Sequence, residues 1–194
     1  MNQDPEYIRD IETAVSVMKN GGIIAYPTDT VWGIGCDATN DVAVKRIYEI
    51  KRRSDSKALI TLVPDEEMLQ RHIDGCVPSV CREMLQSSDR PTTVVYPRGR
   101  ELAPSLLAGD GSVGIRITRY GFPGDLCRAM GCPVVSTSAN ISGEPAASVF
   151  SEISPEILDA VDYVALTGRD ADAPSRPSRV VKITDGGDVI ILRD

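Results

Sequence analysis

Apolar residues recur with a helical period near the start of the chain. Ile8, Ile11, Val15 and Met18 fall on one face after Asp4-Pro5, and Gly21-Gly22 stops the pattern as a C-cap would. The run "IIAYP" then reads as a short buried strand. A second helix opens at Asn40 or Asp41, with Val44, Ile47 and Tyr48 facing inward, and "KRRSDSK" lies at its end. "ALITLV" is a continuous apolar run, the pattern of a central strand covered on both faces. Helical spacing returns at 65–73 and 78–87, followed by a strand at "TTVVYP". "SVGIRIT" and "PVVS" read as further strands, with a short helix around 123–130 between them. A helix at 151–160 precedes "YVAL", and "RVVKI" and "VIILR" close the chain.

Strands and helices alternate without internal repeats, and no shift in composition marks a linker. The pattern predicts one α/β domain over residues 1–194, built on a twisted mixed sheet with helices packed on it. "GRDADAPSRPS" reads as a late loop. No apolar run approaches the roughly 20 residues needed to span a bilayer, and the polar, acidic "MNQDPEYIRD" has no signal-peptide pattern. Five cysteines without a CxxC pair point to a reducing compartment, so a cytoplasmic protein is expected.

Charge changes the picture. The 194 residues carry a formal net charge of −7, and the pI is near 4.8. A general nucleic-acid coat, whose affinity comes from neutralising phosphates, does not fit that balance. Yet "KRRSDSK" sets four cations in seven residues. Exposed charges are screened beyond about 8 Å at physiological ionic strength, so a groove lined by a few cations can still attract an anion.

Several familiar sites are missing or misplaced. There is no GxxxxGK phosphate loop. The single histidine, His72, sits in a plain helical stretch and reads as a surface or packing residue, which leaves no histidine triad or HExxH site. Cys76/Cys81 and Cys127/Cys132 share a C-x₄-C spacing, but on a helix that spacing points the sulfurs apart. "GIGCDA" matches GxGxxA formally. It is separated from "IIAY" by "PTDTVW", however, so its glycines read as a turn or a close backbone approach rather than a dinucleotide fingerprint.

Four stretches carry candidate chemistry. Lys51 and Arg53 can share one anion only if the helix unwinds at about Lys51, since residues two apart on a helix project to nearly opposite sides. Otherwise these cations complement a helix C-terminus on a solvated face. In "PVVSTSANISGEP" a strand runs into Ser136, Thr137, Ser138 and Asn140, whose hydroxyls, amide and backbone N–H groups can hold phosphate or close a polar turn. "PTDTVWGIG" sets small hydroxyls beside the sole tryptophan, which fits an amino-acid or base site and a strand-end turn equally. Arg116 lies inside the otherwise apolar "SVGIRIT" and needs an anionic partner there.

In this order, "GGIIAYPTDTVWGIGCDA", "IYEIKRRSDSKALI", "VGIRIT", "STSANISGEPA" and "PSRVVKI…VIILR" resemble the YrdC-type threonylcarbamoyl-AMP synthase family. The resemblance covers nearly the whole chain and suits the short, single-domain form. The KxR element followed by the SxN element is its hallmark. It implies a concave, positively charged groove and a reaction of ATP, L-threonine and bicarbonate to L-threonylcarbamoyl-adenylate and pyrophosphate, with Mg²⁺ on the ATP. The product would pass to threonylcarbamoyl-transferase proteins that make N6-threonylcarbamoyladenosine at position 37 of tRNA.

By the same resemblance, Lys51, Arg53, Lys57, Ser112, Ser138, Asn140 and Arg193 would bind ATP. Thr30, Arg116, Ser136 and Ser178 would bind threonine or its carbamate. No side chain is assigned as nucleophile or base. Replacing Lys51 or Arg53 by Ala is expected to abolish product formation with the fold intact. The chain departs from the family pattern at Ser54, Ala58, Leu62, Asp89-Arg90-Pro91, Ala146 and Arg179. Those departures admit a paralogue with another acceptor, and a basic groove admits a double-stranded RNA or tRNA binder of the same fold.

Overall fold

Local chemistry sets the element boundaries. The first helix, α1 (Pro5–Lys19), begins where the Asp4 carboxylate accepts from the Glu6 N–H, and ends at Asn20 before a left-handed Gly21. In α2 (Asp41–Ile50) Asn40 is the cap, its Oδ1 accepting from the N–H groups of Val42 and Ala43. Asp65 caps α3 (Glu66–Arg71) through the Met68 N–H. Helix α4 (Gly121–Met130) stops at a left-handed Gly131. The helix expected at 151–160 is broken into a 3-10 turn, Phe150–Glu152, and α5 (Pro155–Ala160). Pro155 forces the residue before it out of the helical region, and Ser154 becomes the N-cap instead.

This computed structural model describes residues 4–53, 59–79, 81–82, 85, 90–171, 178–184 and 188–194. The helix expected at 78–87 lies partly outside them, with Ser79, Cys81, Arg82 and Leu85 helical. Among the described residues, no helix is long and apolar enough to cross a membrane.

Among the described residues, nine strands form one mixed sheet. They are β1 (Ile24–Tyr26), β2 (Gly33–Gly35), β3 (Ile60–Val63), β4 (Thr92–Tyr96), β5 (Val113–Ile117), β6 (Val134–Ser138), β7 (Tyr163–Val164), β8 (Arg179–Ile183) and β9 (Val189–Arg193), in the order β7-β1-β2-β6-β3-β5-β4-β8-β9. Pairs β1–β7, β3–β5 and β4–β8 are parallel and the other five antiparallel. Register sorts the residues by face. Tyr26, Leu62 and Val134 lie under α1 and α4, packed with Met18, Phe122 and Leu126. On the opposite face, Ala25, Ile34 and Val135 pack against Val44 and Ile47 of α2 and Ile157 of α5. Farther along that face Val94, Ile115 and Val181 pack with Met68 and Leu69 of α3. Among the described residues, helices therefore cover one face broadly and the other only at its β1–β6–β3 end, leaving the rest of that face open.

Strand β2 is absent from the hydrophobic pattern because two of its three residues are glycines. The close approach expected there is real. A Cβ on Gly35 would lie 2.2 Å from the Val135 carbonyl oxygen and 2.9 Å from the Tyr26 ring. Backbone cannot step aside as a side chain can, so Gly35→Ala is expected to cost about 3 kcal/mol. Urea unfolding of the variant checks this, with an unchanged midpoint as the contrary result.

Candidate functional site

The uncovered part of the sheet floors a cavity of about 490 Å³. That volume is within the range of roughly 300–1,000 Å³ usual for small-molecule sites. Its lining gathers nine of the eleven residues singled out in the sequence: Thr30, Arg53, Ser112, Arg116, Ser136, Ser138, Asn140, Ser178 and Arg193. Lys51 stands behind the wall, and Lys57 lies outside the described residues.

The KxR segment is shaped by how α2 ends. The Arg53 N–H reaches the Tyr48 carbonyl at 3.0 Å, the Arg52 N–H reaches Glu49 at 2.9 Å, and Arg52 takes a left-handed φ of 48°. These are the paired bonds of a Schellman stop, with arginine where glycine is usual. The helix unwinds at Lys51, so Lys51 and Arg53 leave the helical alternation that would have separated them. Arg52 turns away and pairs with Glu156.

Lys51 differs from the cation expected at the phosphates. It is 1% exposed, and its Nζ donates to the carbonyls of Ser138 at 2.5 Å and Asn140 at 2.7 Å. Its own carbonyl accepts from the Ser142 N–H at 2.9 Å. Three bonds thus stitch the end of α2 to the SxN loop. Within that loop the Asn140 amide donates to the carbonyls of Ile141 and Glu144, while its buried Oδ1 has no partner among the described residues.

Burial, then the neighbouring Arg53 guanidinium, push the Lys51 ammonium down to about 8. The two carbonyl bonds act the other way by favouring the charged form. Because the folded value lies below the ordinary 10.5, the unfolded chain binds more protons between about pH 8 and 10.5. This group's contribution to stability therefore rises with pH across that window, and its depressed value costs stability below it. In the folded protein its positive charge is lost as pH passes about 8. Affinity for a phosphate anion is expected to fall as pH passes about 8, with proton uptake on binding in that range. Calorimetric titration with ATP in two buffers of different ionisation enthalpy measures this, and the idea fails if affinity is flat from pH 7 to 9.

At the other end of the floor, Arg116 is 4% exposed and donates to Asp29 Oδ1 at 3.0 Å. Its Nε is buried with no partner among the described residues. A guanidinium with one arm engaged and one donor vacant is suited to a carboxylate. Beside it, the Thr28 hydroxyl donates to the Val31 carbonyl at 2.6 Å and accepts from the N–H groups of Thr30 and Val31. Thr28 Oγ1 lies 3.0 Å from Thr30 Oγ1. With the Thr28 proton committed, Thr30 is the donor, which leaves its oxygen free to accept. Trp32 is no part of this corner. It is buried against Phe150 beneath the opposite face, so the aromatic wall considered for "PTDTVW" is absent.

The third wall comes from the chain's end. Arg193 donates through Nε and an Nη to the Ser178 carbonyl, at 3.1 and 2.8 Å, and the Ser178 hydroxyl lies 3.1 Å from that of Thr93. Thr93 and Gly114 line the cavity without having been singled out in the sequence. Thr93 was legible as a polar position on an apolar strand. Gly114 gave no signal.

Among the described residues, the lining holds Arg53, Arg116 and Arg193 against a single acid, Glu144. The acidic net charge therefore lies elsewhere on the surface. Most of the departures can be placed: Arg90 donates to Asp194 Oδ1 at 3.2 Å, and the Pro91 carbonyl accepts from the Arg179 N–H at 2.9 Å. Leu62 is fully buried under α1 and α4, Ala146 lines the cavity, and Arg179 donates to Asp194 at 2.8 Å. Ser54, Ala58 and Asp89 lie outside the described residues.

Comparison with known proteins shows the family and the fold. The chain is 35% identical over 191 residues to a threonylcarbamoyl-AMP synthase of Xanthomonas oryzae pv. oryzae, covering 97% of this chain and 99% of the relative. Escherichia coli YciO superimposes with a TM-score of 0.82 at 25% identity, over 96% of this chain and 89% of that one. P. abyssi Sua5, crystallised with L-threonine, shares the fold at a TM-score of 0.83 and 24% identity. It matches 99% of this chain, which spans 55% of its length. The family model Sua5_yciO_yrdC, described as telomere recombination, matches residues 16–194, and the chain belongs to that family.

Proposed function

We propose that the chain is a threonylcarbamoyl-AMP synthase, joining L-threonine, bicarbonate and ATP into L-threonylcarbamoyl-adenylate with release of pyrophosphate. The observation that supports this best is the joining of the KxR and SxN segments by Lys51 into one wall, opposite an arginine with a vacant donor. That pairing suits a ligand with a phosphate end and a carboxylate end. The amine of threonine takes up bicarbonate with loss of water, giving an N-carboxylate. Its oxygen attacks the α-phosphorus as the bond to pyrophosphate breaks.

No protein nucleophile is required by this chemistry. Arg116, with Thr30 and Ser136, would orient the carboxylate and carbamate of threonine. Ser178 would join them, while Arg53, Arg193, Ser112, Ser138 and the Asn140 amide plane would surround the nucleotide. Positioning and charge neutralisation at the transferring phosphorus then supply the acceleration. Magnesium would come in on ATP and offset phosphate charge, and Glu144 is a hard oxygen donor of the type it takes. The product would go on to transferase proteins acting on tRNA.

The test is incubation with ATP, bicarbonate and each amino acid in turn, with acyl-adenylates detected by mass and pyrophosphate assayed alongside. Threonine-dependent pyrophosphate release with threonylcarbamoyl-adenylate is the expected result. An adduct formed only with another amino acid would identify a paralogue. No turnover, together with steeply salt-dependent RNA binding, would replace the reading with an RNA-binding module.

A further inference from the structure

Three glycines face the cavity side of the sheet, and they differ in what makes them glycine. For Gly35 and Gly33 the protein itself fills the space of the missing side chain. A Cβ on Gly35 meets the Val135 carbonyl at 2.2 Å, and one on Gly33 meets the Thr137 carbonyl and the Thr28 methyl at 3.2 Å. For Gly114, in the middle of β5, the only heavy atom within 4 Å among the described residues is the Thr93 methyl, at an ordinary 3.5 Å. Its φ is not in the left-handed region either. Neither packing nor backbone conformation calls for glycine there, and glycine inside a strand is unfavourable relative to alanine.

The surroundings of Gly114 say what the bare patch admits. Its cross-strand neighbours are Ile60 on β3 and Val95 on β4, both lining the cavity. Along β5, on the same face, Ser112 lies two residues before it and Arg116 two residues after, each about 7 Å away at the usual strand rise. The hollow is therefore an apolar-walled strip of main chain between a hydroxyl and a guanidinium.

We infer that Gly114 is a specificity-determining residue, left without a side chain so that an uncharged, apolar-faced part of a bound substrate can lie directly on the sheet. The inference rests on the function proposed above, in which Arg116 holds one end of the ligand and Ser112 lies toward the other. Two sources share this chemistry: the nucleoside of ATP and the carbon skeleton of threonine.

The experiment is Gly114→Ala in the full chain, with Gly35→Ala as the contrast. Thermal melts and separate titrations with ATP and with L-threonine are run beside the parent. Gly114→Ala is expected to melt at or above the parent temperature while losing at least about tenfold in affinity for one substrate, and the substrate affected identifies the source. Gly35→Ala is expected to melt far lower. A Gly114→Ala protein that melts several degrees below the parent would show that the fold needs the glycine. One that binds both substrates within twofold of the parent would show that no ligand lies on it. Either result overturns the inference and leaves the proposed function standing. A parent that binds neither substrate overturns the function, and with it the ligand named here.

Discussion

Lys51→Met is expected to abolish product formation and to unfold more easily, a double loss that separates it from Arg53→Ala. Methionine keeps the length of the side chain but cannot donate, so the carbonyls of Ser138 and Asn140 are left without the ammonium that holds them. Each buried carbonyl without a donor costs roughly 1–3 kcal/mol, partly offset by no longer burying a charge. The net loss is expected at about 2–4 kcal/mol. At about 2–4 °C per kcal/mol for a chain of this size, Tm falls by about 10 °C. Activity falls by at least about a hundredfold because the SxN loop is no longer held against the KxR turn.

Arg53→Ala, by contrast, removes a half-buried cation from the cavity wall and is expected to keep the fold. The expectation that both variants leave the fold intact therefore survives for Arg53 only. Melting curves read beside product formation decide it. Parent-like melting of Lys51→Met would mean that the three-bond stitch does not hold the loop.

Arg116→Ala is expected to raise KM for threonine by at least about a hundredfold while changing KM for ATP far less. Its partner Asp29 is 39% exposed on its side chain, so the carboxylate left behind turns to water and the stability cost stays near about 1 kcal/mol. Arg116→Lys restores charge without the planar fork, and the vacant Nε donor has no counterpart in an ammonium. Lysine is therefore expected to recover only part of the loss. Steady-state kinetics with each substrate varied in turn give the split. A threonine KM unmoved in Arg116→Ala would remove the carboxylate role from this residue.

How far the chain could be read varies with the range of the interaction involved. Asn40, Asp65 and Gly131 punctuate helices through bonds to residues a few positions away, and those ends follow from local sequence. The strand "ALITLV" announced itself by a continuous apolar run, with Leu62 buried on one face and Val63 on the other. "SVGIRIT", by contrast, showed apolar residues on its packed face only, since Ser112, Gly114 and Arg116 line the cavity. β2 gave no such signal, because "GIG" carries one side chain that could show a period. Its role follows from the Val135 carbonyl that presses on Gly35 from a distant strand. The break at Pro155 was in principle legible from proline's effect on the residue before it, and the periodicity of 151–160 masked it.

The site shows the same division. By itself the sequence determined the α/β alternation, the main strands and helices, and which polar and cationic residues stand apart from those patterns. These depend on spacing along the chain, which a sequence contains in full. Only the tertiary structure decided that Lys51 is an internal brace rather than a surface cation, that Trp32 belongs to the core and not to the cavity, and that Gly114 lies bare between Ser112 and Arg116. Each of those outcomes depends on which atoms of remote segments arrive at the same place. The distances and angles that govern hydrogen bonding and steric contact exist only once the sheet has set them.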